Sequence, residues 1–215
     1  MRIDEAISTI KNVGIVPVIR ASNVEEALQA VEAVSAGGIP IVEITMTVPD
    51  ATKVIRSVVE RHGQKVLTGA GTVLTGEQAK ACIDAGAEFI VSPGLSMAVL
   101  EVARSRDKLA VPGALSPTEL MSAVAGGAQV IKIFPCGNVG GPKYLKALRG
   151  PFPNLALIPT GGVNASNAAD YFAAGAFALG VGADLIDLAA LRAGRSDKVT
   201  TAARELADAA RAARG

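Results

Sequence analysis

The chain has 215 residues, 50% hydrophobic and 3% aromatic, with 21 Lys and Arg against 20 Asp and Glu. That length fits one domain with an ample apolar core, and the composition excludes disorder as the main state. A net charge of +1, with Phe 5, Tyr 2 and no Trp, excludes a general polyanion binder and leaves few rings to stack on nucleic-acid bases. One histidine excludes a His-rich metal site, and Cys82 and Cys136 make no disulfide framework.

The opening MRIDEAISTIKN carries Arg2, Asp4, Glu5 and Lys11, so it lacks the apolar core of a signal peptide. No apolar run reaches the roughly 20 residues of a spanning helix. The expectation is a cytoplasmic protein without membrane contact. Residues 3–12 are expected to form a helix that caps the bottom of the fold. Apolar runs then follow: IVPVIR (15–20), PIVEIT (40–45), KVLTGAG (65–71), EFIVSP (88–93), LAVPGA (109–114), VIKIFP (130–135), LALIPT (155–160) and AFALGVG (176–182). Near-continuous apolar runs of this length suit strands covered on both faces. Ala-rich segments at helical spacing lie between them, with Asn23, Ser116 and Asn164 placed as N-caps and glycines as C-caps. A last Ala-rich helix is expected at about 196–213.

Eight strand signals alternate with helix signals about every 20–26 residues. Strict alternation implies a parallel sheet with right-handed crossovers. The number predicts an α/β fold, a single (β/α)8 TIM barrel over residues 1–215 with an extra N-terminal and C-terminal helix. No linker or domain boundary is visible. A doubly wound open sheet is the alternative, and more often shows five or six units.

Barrel enzymes work at the C-terminal ends of their strands, so polar residues there are the informative ones. Lys132 lies between Ile131 and Ile133 in an otherwise apolar strand. Pointing inward, it loses hydration, and its charged form is penalised. A neutral amine attacks ketones to form a Schiff base; the other reading is a lysine paired with a carboxylate or reaching the rim. Glu43, between Val42 and Ile44, is either the acid/base such chemistry needs or simply the counter-ion of Lys132. Arg20 ends the first strand on the face of Val16 and Val18. A guanidinium at the mouth suits a carboxylate or phosphate; the other reading is a solvated strand-end arginine. The turns GAGT (69–72), TGGV (160–163) and GVG (180–182) offer backbone N–H groups to an anion, although glycine is also the default in tight βα turns. His62 falls on the bottom face, and Cys136 falls near the site without a histidine partner. Arg204, Arg211 and Arg214 read as a solvated helix face.

The stretches GIVPVIR, VEITMTVPDA, GAGTVL, FIVSPG, PGALSPTEL, IKIFP and GPFPNLALIPTGGV together resemble the KDPG/KHG aldolase family, from about residue 5 to 210. These are class I pyruvate-dependent aldolases on a small (β/α)8 barrel. The resemblance implies Lys132 as the Schiff-base lysine and Glu43 as the general acid/base. It implies Thr72 as a hydrogen-bonding partner of the pyruvate part, and Pro93 and Phe134 as packing residues around the substrate carbons. Thr160, Gly161 and Gly162 would form the phosphate turn, with Gly182 and Ala183 beside it. Many relatives carry an arginine where this chain has Thr47; another branch carries its arginine at the end of the first strand, as Arg20 is here. Relatives often place a serine where Ala183 stands, so one phosphate-donating hydroxyl is lost.

The implied reaction is reversible cleavage of 2-keto-3-deoxy-6-phosphogluconate to pyruvate and glyceraldehyde 3-phosphate, without metal or other cofactor, in a homotrimer. The small-molecule partners would be a phosphorylated 2-keto-3-deoxy acid and pyruvate, with no nucleic acid. Alternatives are the same chemistry on the galactonate phosphate, on 4-hydroxy-2-oxoglutarate or on an unphosphorylated sugar acid. More remote are a phosphate-sugar isomerase or epimerase, and a non-catalytic binding barrel.

Overall fold

A computed structural model describes residues Met1–Gly215. The order is α1 (Ile3–Val13), β1 (Ile15–Ile19), α2 (Val24–Ala36), β2 (Ile41–Thr45), α3 (Ala51–His62), β3 (Leu67–Gly71), α4 (Gly76–Asp84), β4 (Phe89–Val91), α5 (Met97–Ser105), β5 (Leu109–Val111), β6 (Gly113–Ala114), α6 (Pro117–Ala125), β7 (Val130–Ile133), α7 (Pro142–Arg149), β8 (Ala156–Pro159), α8 (Ala168–Ala173), β9 (Leu179–Val181), α9 (Leu188–Arg192) and α10 (Ser196–Arg214). All eight predicted strands are present, the fifth as two short pieces, β5 and β6, on either side of Pro112. Proline has no N–H to give a ladder, so the run divides there. β5 pairs with β4, whereas β6 pairs with β7.

Every pairing is parallel. One sheet has the order β5-β4-β3-β2-β1-β9 and the other β6-β7-β8. They meet a second time where Thr160, just past β8, bridges to Gly180 of β9. The sheets curl round a shared interior. Strand side chains alternate, and both faces of these strands are buried. One alternation set therefore points inward, into a 12-residue cluster that includes Val16, Ile41, Leu67, Phe89, Val111, Val130 and Ile158. The other set, including Ile15, Ile44, Ile90, Ile131 and Leu179, joins a 48-residue core beneath the helices. A run that looks uniformly apolar in sequence is thus divided residue by residue between two cores.

Local signals set most helix starts. Asn23 accepts from the Glu26 N–H, and Ser116 forms a reciprocal box with Glu119, whose carboxylate accepts from the Leu115 and Ser116 N–H groups. Those two amides, with the Ser116 hydroxyl, hold the Glu119 carboxyl below its usual range. Asn164 does not cap. Its carbonyl oxygen accepts from Ser166 in a local turn, and α8 begins only at Ala168. Asparagine competes well for such turns.

α1 does cap the bottom. Ala6 and Ile10 enter the inner cluster, sealing the N-terminal ends of the strands. Arg214 departs from the expected solvated face. Its guanidinium donates to the carbonyls of Lys11 and Asn12, at the open C-terminal end of α1, and lies over Phe172. A cation at a helix C-terminus satisfies orphan carbonyls, and it outcompetes solvent here. No helix is long and apolar enough to cross a membrane.

Candidate active site

Because all the strands run the same way, their C-terminal ends share one edge. Arg20, Thr47, Thr72, Pro93, Phe134, Gly161 and Ala183 each lie one or two residues past a strand end on that edge. Below them, Lys132 of β7 and Glu43 of β2 point inward and are almost fully buried, with Lys132 Nζ 3.8 Å from Glu43 Oε1. The register puts Lys132 level with Gly113 and Ile158, and Glu43 level with Val18 and Gly69. Apolar neighbours at these levels make both charges expensive, and their proximity offsets part of that cost.

The pair is not a closed ion pair. A charge-assisted N–H···O bond spans about 2.7–2.9 Å, well short of the separation here. Glu43 Oε1 has no hydrogen-bond partner at all. Lys132 Nζ sits 5.3 Å from the centroid of the Phe134 ring, which takes up part of its charge. A cavity of about 10 Å³ joins Lys132, Glu43, Thr160 and Gly180, with Ile10 of α1 as its floor. That volume matches one water-sized group. A buried carboxylate oxygen with an open lone pair, beside an amine, can accept a proton from whatever reacts there.

Two glycines make room for the polar groups. A Cβ on Gly71 would lie 1.8 Å from Glu43 Oε1, and a Cβ on Gly180 would lie 2.1 Å from Thr160 Oγ1. Each polar side chain leans over a neighbouring strand that lacks a side chain at that point. The GAGT motif predicts Gly71 in an anion turn, whereas the residue ends β3. The legible signal was the glycine itself, since glycine within a strand marks a close approach. The contribution of Ile10 to the site had no sequence signal beyond the amphipathic pattern of α1.

The mouth carries strain and open donors. Thr72 has φ of 56°, left-handed for a β-branched residue. Such a conformation costs of order 1–3 kcal/mol and clusters at functional sites. Gly161 and Gly162 have φ of 91° and 74°, which glycine adopts freely. Their carbonyls are occupied, by the Gly137 N–H and the Asn167 side-chain amide respectively. The N–H groups of Gly161, Gly162 and Ala183 have no acceptor in the chain. Thr45 Oγ1 donates to the Ile19 carbonyl, so the 2.7 Å contact with Thr47 is a bond that Thr47 donates. Arg20 is exposed, and its guanidinium has no partner.

Cys136 does not line this cavity. It faces the helices, 3.6 Å from the Gly141 carbonyl and beside Tyr171. Burial pushes its thiol up to about 11, and burial together with Cys136 pushes Tyr171 up to about 12. His62 ends α3, away from the strand C-termini, and pairs with Glu32 at 3.1 Å.

A buried amine and carboxylate under a rim of open N–H groups is an arrangement for carbonyl chemistry on an anionic substrate. The "KDPG and KHG aldolase" family model matches residues 6–202. The KHG/KDPG aldolase of Escherichia coli (strain K12) is 35% identical over 197 residues, 92% of each chain. The 2-dehydro-3-deoxy-6-phosphogalactonate aldolase of the same organism is 37% identical over 85% of this chain and 86% of its own. The KDPG aldolase of Legionella pneumophila, solved with pyruvate captured as a covalent carbinolamine intermediate, superposes with a TM-score of 0.86. It shares 31% identity over 94% of this chain and 97% of that one. The protein is therefore an enzyme of the lyase class, an aldolase. It belongs to the KDPG and KHG aldolase family.

Proposed function

We propose that the protein cleaves 2-keto-3-deoxy-6-phosphogluconate reversibly to pyruvate and glyceraldehyde 3-phosphate, with Lys132 as nucleophile and Glu43 as general acid/base. The observation behind this reading is the open Lys132–Glu43 pair, 3.8 Å apart in an enclosed cavity. The Lys132 amine attacks the C2 ketone, and Glu43 relays protons as water leaves the carbinolamine. The resulting iminium is an electron sink. Glu43 then takes the proton of the C4 hydroxyl, and the C3–C4 bond breaks with its electrons flowing into an enamine. The aldehyde departs, C3 is protonated, and hydrolysis releases pyruvate and the free amine.

The rim has assigned parts in the same reading. Thr72 bonds the pyruvate carboxylate, while Pro93 and Phe134 pack on the carbon chain. Thr160, Gly161, Gly162, Gly182 and Ala183 surround the phosphate, which the backbone N–H groups bind without a hydroxyl at Ala183. Arg20 supplies the cation that Thr47 does not, and Thr47 steadies the loop beside it.

We read residues 1–215 as one domain, and the two sheets as one closed eight-stranded barrel. Support comes from continuity of the chain through Pro112 and from the Thr160–Gly180 bridge. A homotrimer accounts for exposed Leu74, Met97, Met121 and Val124, which monomers seldom leave in water together. The Ser96 hydroxyl donates to the Leu74 carbonyl, and Met97 lies against Gly126 just past α6, so the segments that carry these side chains lie close together. A second reading, the 2-keto-3-deoxy-6-phosphogalactonate substrate, differs only in configuration at C4. It draws on the 37% identical relative of that name.

Borohydride reduction in the presence of pyruvate, followed by peptide mass spectrometry, tests the mechanism. An adduct on Lys132 is expected, and an unmodified Lys132 would remove the aldol mechanism. Cleavage rates on the two phosphorylated acids, measured side by side, decide the substrate.

A further inference from the structure

We propose that Glu26 and Arg192 are positioning residues that hold the turn carrying Arg20, so that its guanidinium meets the anionic end of the substrate. This rests on the reading of Arg20 as a substrate-binding group. Arg20 presents a contrast: its side chain is exposed and unpartnered, yet the backbone on both sides of it is held by side-chain bonds. On one side the Ile19 carbonyl accepts from Thr45 Oγ1 at 2.9 Å. On the other, the Ser22 N–H donates to Glu26 Oε2 at 2.6 Å, and the Ser22 hydroxyl accepts from Arg192 Nη2 at 2.8 Å. The second carboxylate oxygen of Glu26 accepts from Arg192 Nε at 2.6 Å. Arg192 comes from the last turn of α9, 166 residues along the chain from Glu26.

The chemistry of the pair favours a positioning role over a simple staple. Glu26 is 5% exposed, on a face of α2 otherwise filled by Ala27, Ala30 and Val31. A staple between α2 and α9 needs no charge there, since apolar residues of similar volume often stabilise as well or better. What a carboxylate can do, and an apolar side chain cannot, is accept from a backbone N–H two residues beyond Arg20. Burial raises the Glu26 carboxyl, but the Ser22 N–H and Arg192 outweigh it and hold it below the usual range. Arg192 neutralises that carboxylate, so it does not compete with the substrate for Arg20. The long arginine side chain stays free to follow its ligand, while its root is fixed; a pre-organised root lowers the entropy lost on binding.

Steady-state cleavage tests this, using the full-length protein and whichever 2-keto-3-deoxy-6-phospho acid the wild type cleaves faster. Arg20→Gln, Arg192→Met and Glu26→Gln are each expected to raise KM about tenfold with kcat within about twofold, the scale of one charge-assisted hydrogen bond. The Arg20→Gln/Arg192→Met double variant is expected to be no worse than Arg20→Gln alone, and Arg192→Lys to recover part of the loss. Borohydride trapping of pyruvate on Lys132 should be unchanged throughout, which separates a misplaced arginine from a collapsed site. Glu26→Gln preserves volume and serves if Arg192→Met does not fold. If Arg20→Gln raises KM while Arg192→Met and Glu26→Gln do not, or if the double variant multiplies the two effects, the positioning role is overturned. If Arg20→Gln itself leaves KM unchanged, the assignment of Arg20 fails and the proposal with it.

Discussion

The two ends of the inner cluster obey opposite rules. At the N-terminal end, Ala6 and Ile10 of α1 close the floor against apolar strand residues, and Arg214 satisfies the carbonyls that end α1. At the C-terminal end an orphan carboxylate oxygen, a left-handed threonine and several open backbone N–H groups lie together. The floor satisfies its polar groups internally, whereas the mouth leaves several of them without a partner in the chain. Satisfied and open polar groups are therefore separated along strands only two to five residues long.

Substitutions at the two ends should separate in the same way. Lys132→Ala should have the largest effect, abolishing the borohydride adduct and lowering kcat about a thousandfold or more. Its circular dichroism spectrum should match the wild type. A variant that still turned over at a tenth of the native rate would break the contrast at its active end. Next comes Gly71→Ala, whose added methyl must displace Glu43 Oε1, 1.8 Å from the new carbon. General acid/base catalysis contributes about 10²–10⁴-fold, so a kcat loss of about a hundredfold is expected with the Lys132 adduct still forming. Ile10→Ala acts from below. It should cost about 2–4 kcal/mol in urea unfolding while the folded fraction keeps nearly native kcat.

The smallest effect is at Glu119. Its folded-state carboxyl is held below the usual range by the N–H groups of Ser116 and Leu115. A depressed carboxyl contributes stability above its unfolded pKa of about 4.3, and that stability is lost as pH falls through the lower folded value. Glu119→Gln should therefore cost about 1 kcal/mol at pH 7, with the two unfolding curves converging as acid protonates the folded-state carboxyl. A difference that persisted in acid would mean that packing, not charge, sets the contribution of Glu119.

Much of the fold was legible because its signals are local. Alternating apolar runs and Ala-rich segments announced every strand, and Asn23 and Ser116 announced their helices. Asn164 misled because a capping asparagine and a turn asparagine look alike until Ser166 takes its oxygen. Arg214 misled because its partners, the carbonyls of Lys11 and Asn12, lie about 200 residues away in the chain. Cys136 looked close to the site in sequence but points the other way, since the chain turns after β7.

The sequence by itself determined the parallel α/β order and singled out Lys132 and Glu43 as the polar pair buried among the strands. A lysine and a glutamate in runs otherwise apolar have few places to go. Only the tertiary structure decided that they stop 3.8 Å apart with one oxygen unclaimed, that Gly71 makes the space, and that a helix at the N-terminal ends of the strands forms the floor. Hydrophobic patterning acts over neighbouring residues and can be read along the chain. Distances between side chains on different strands depend on register and curl, which no single segment specifies.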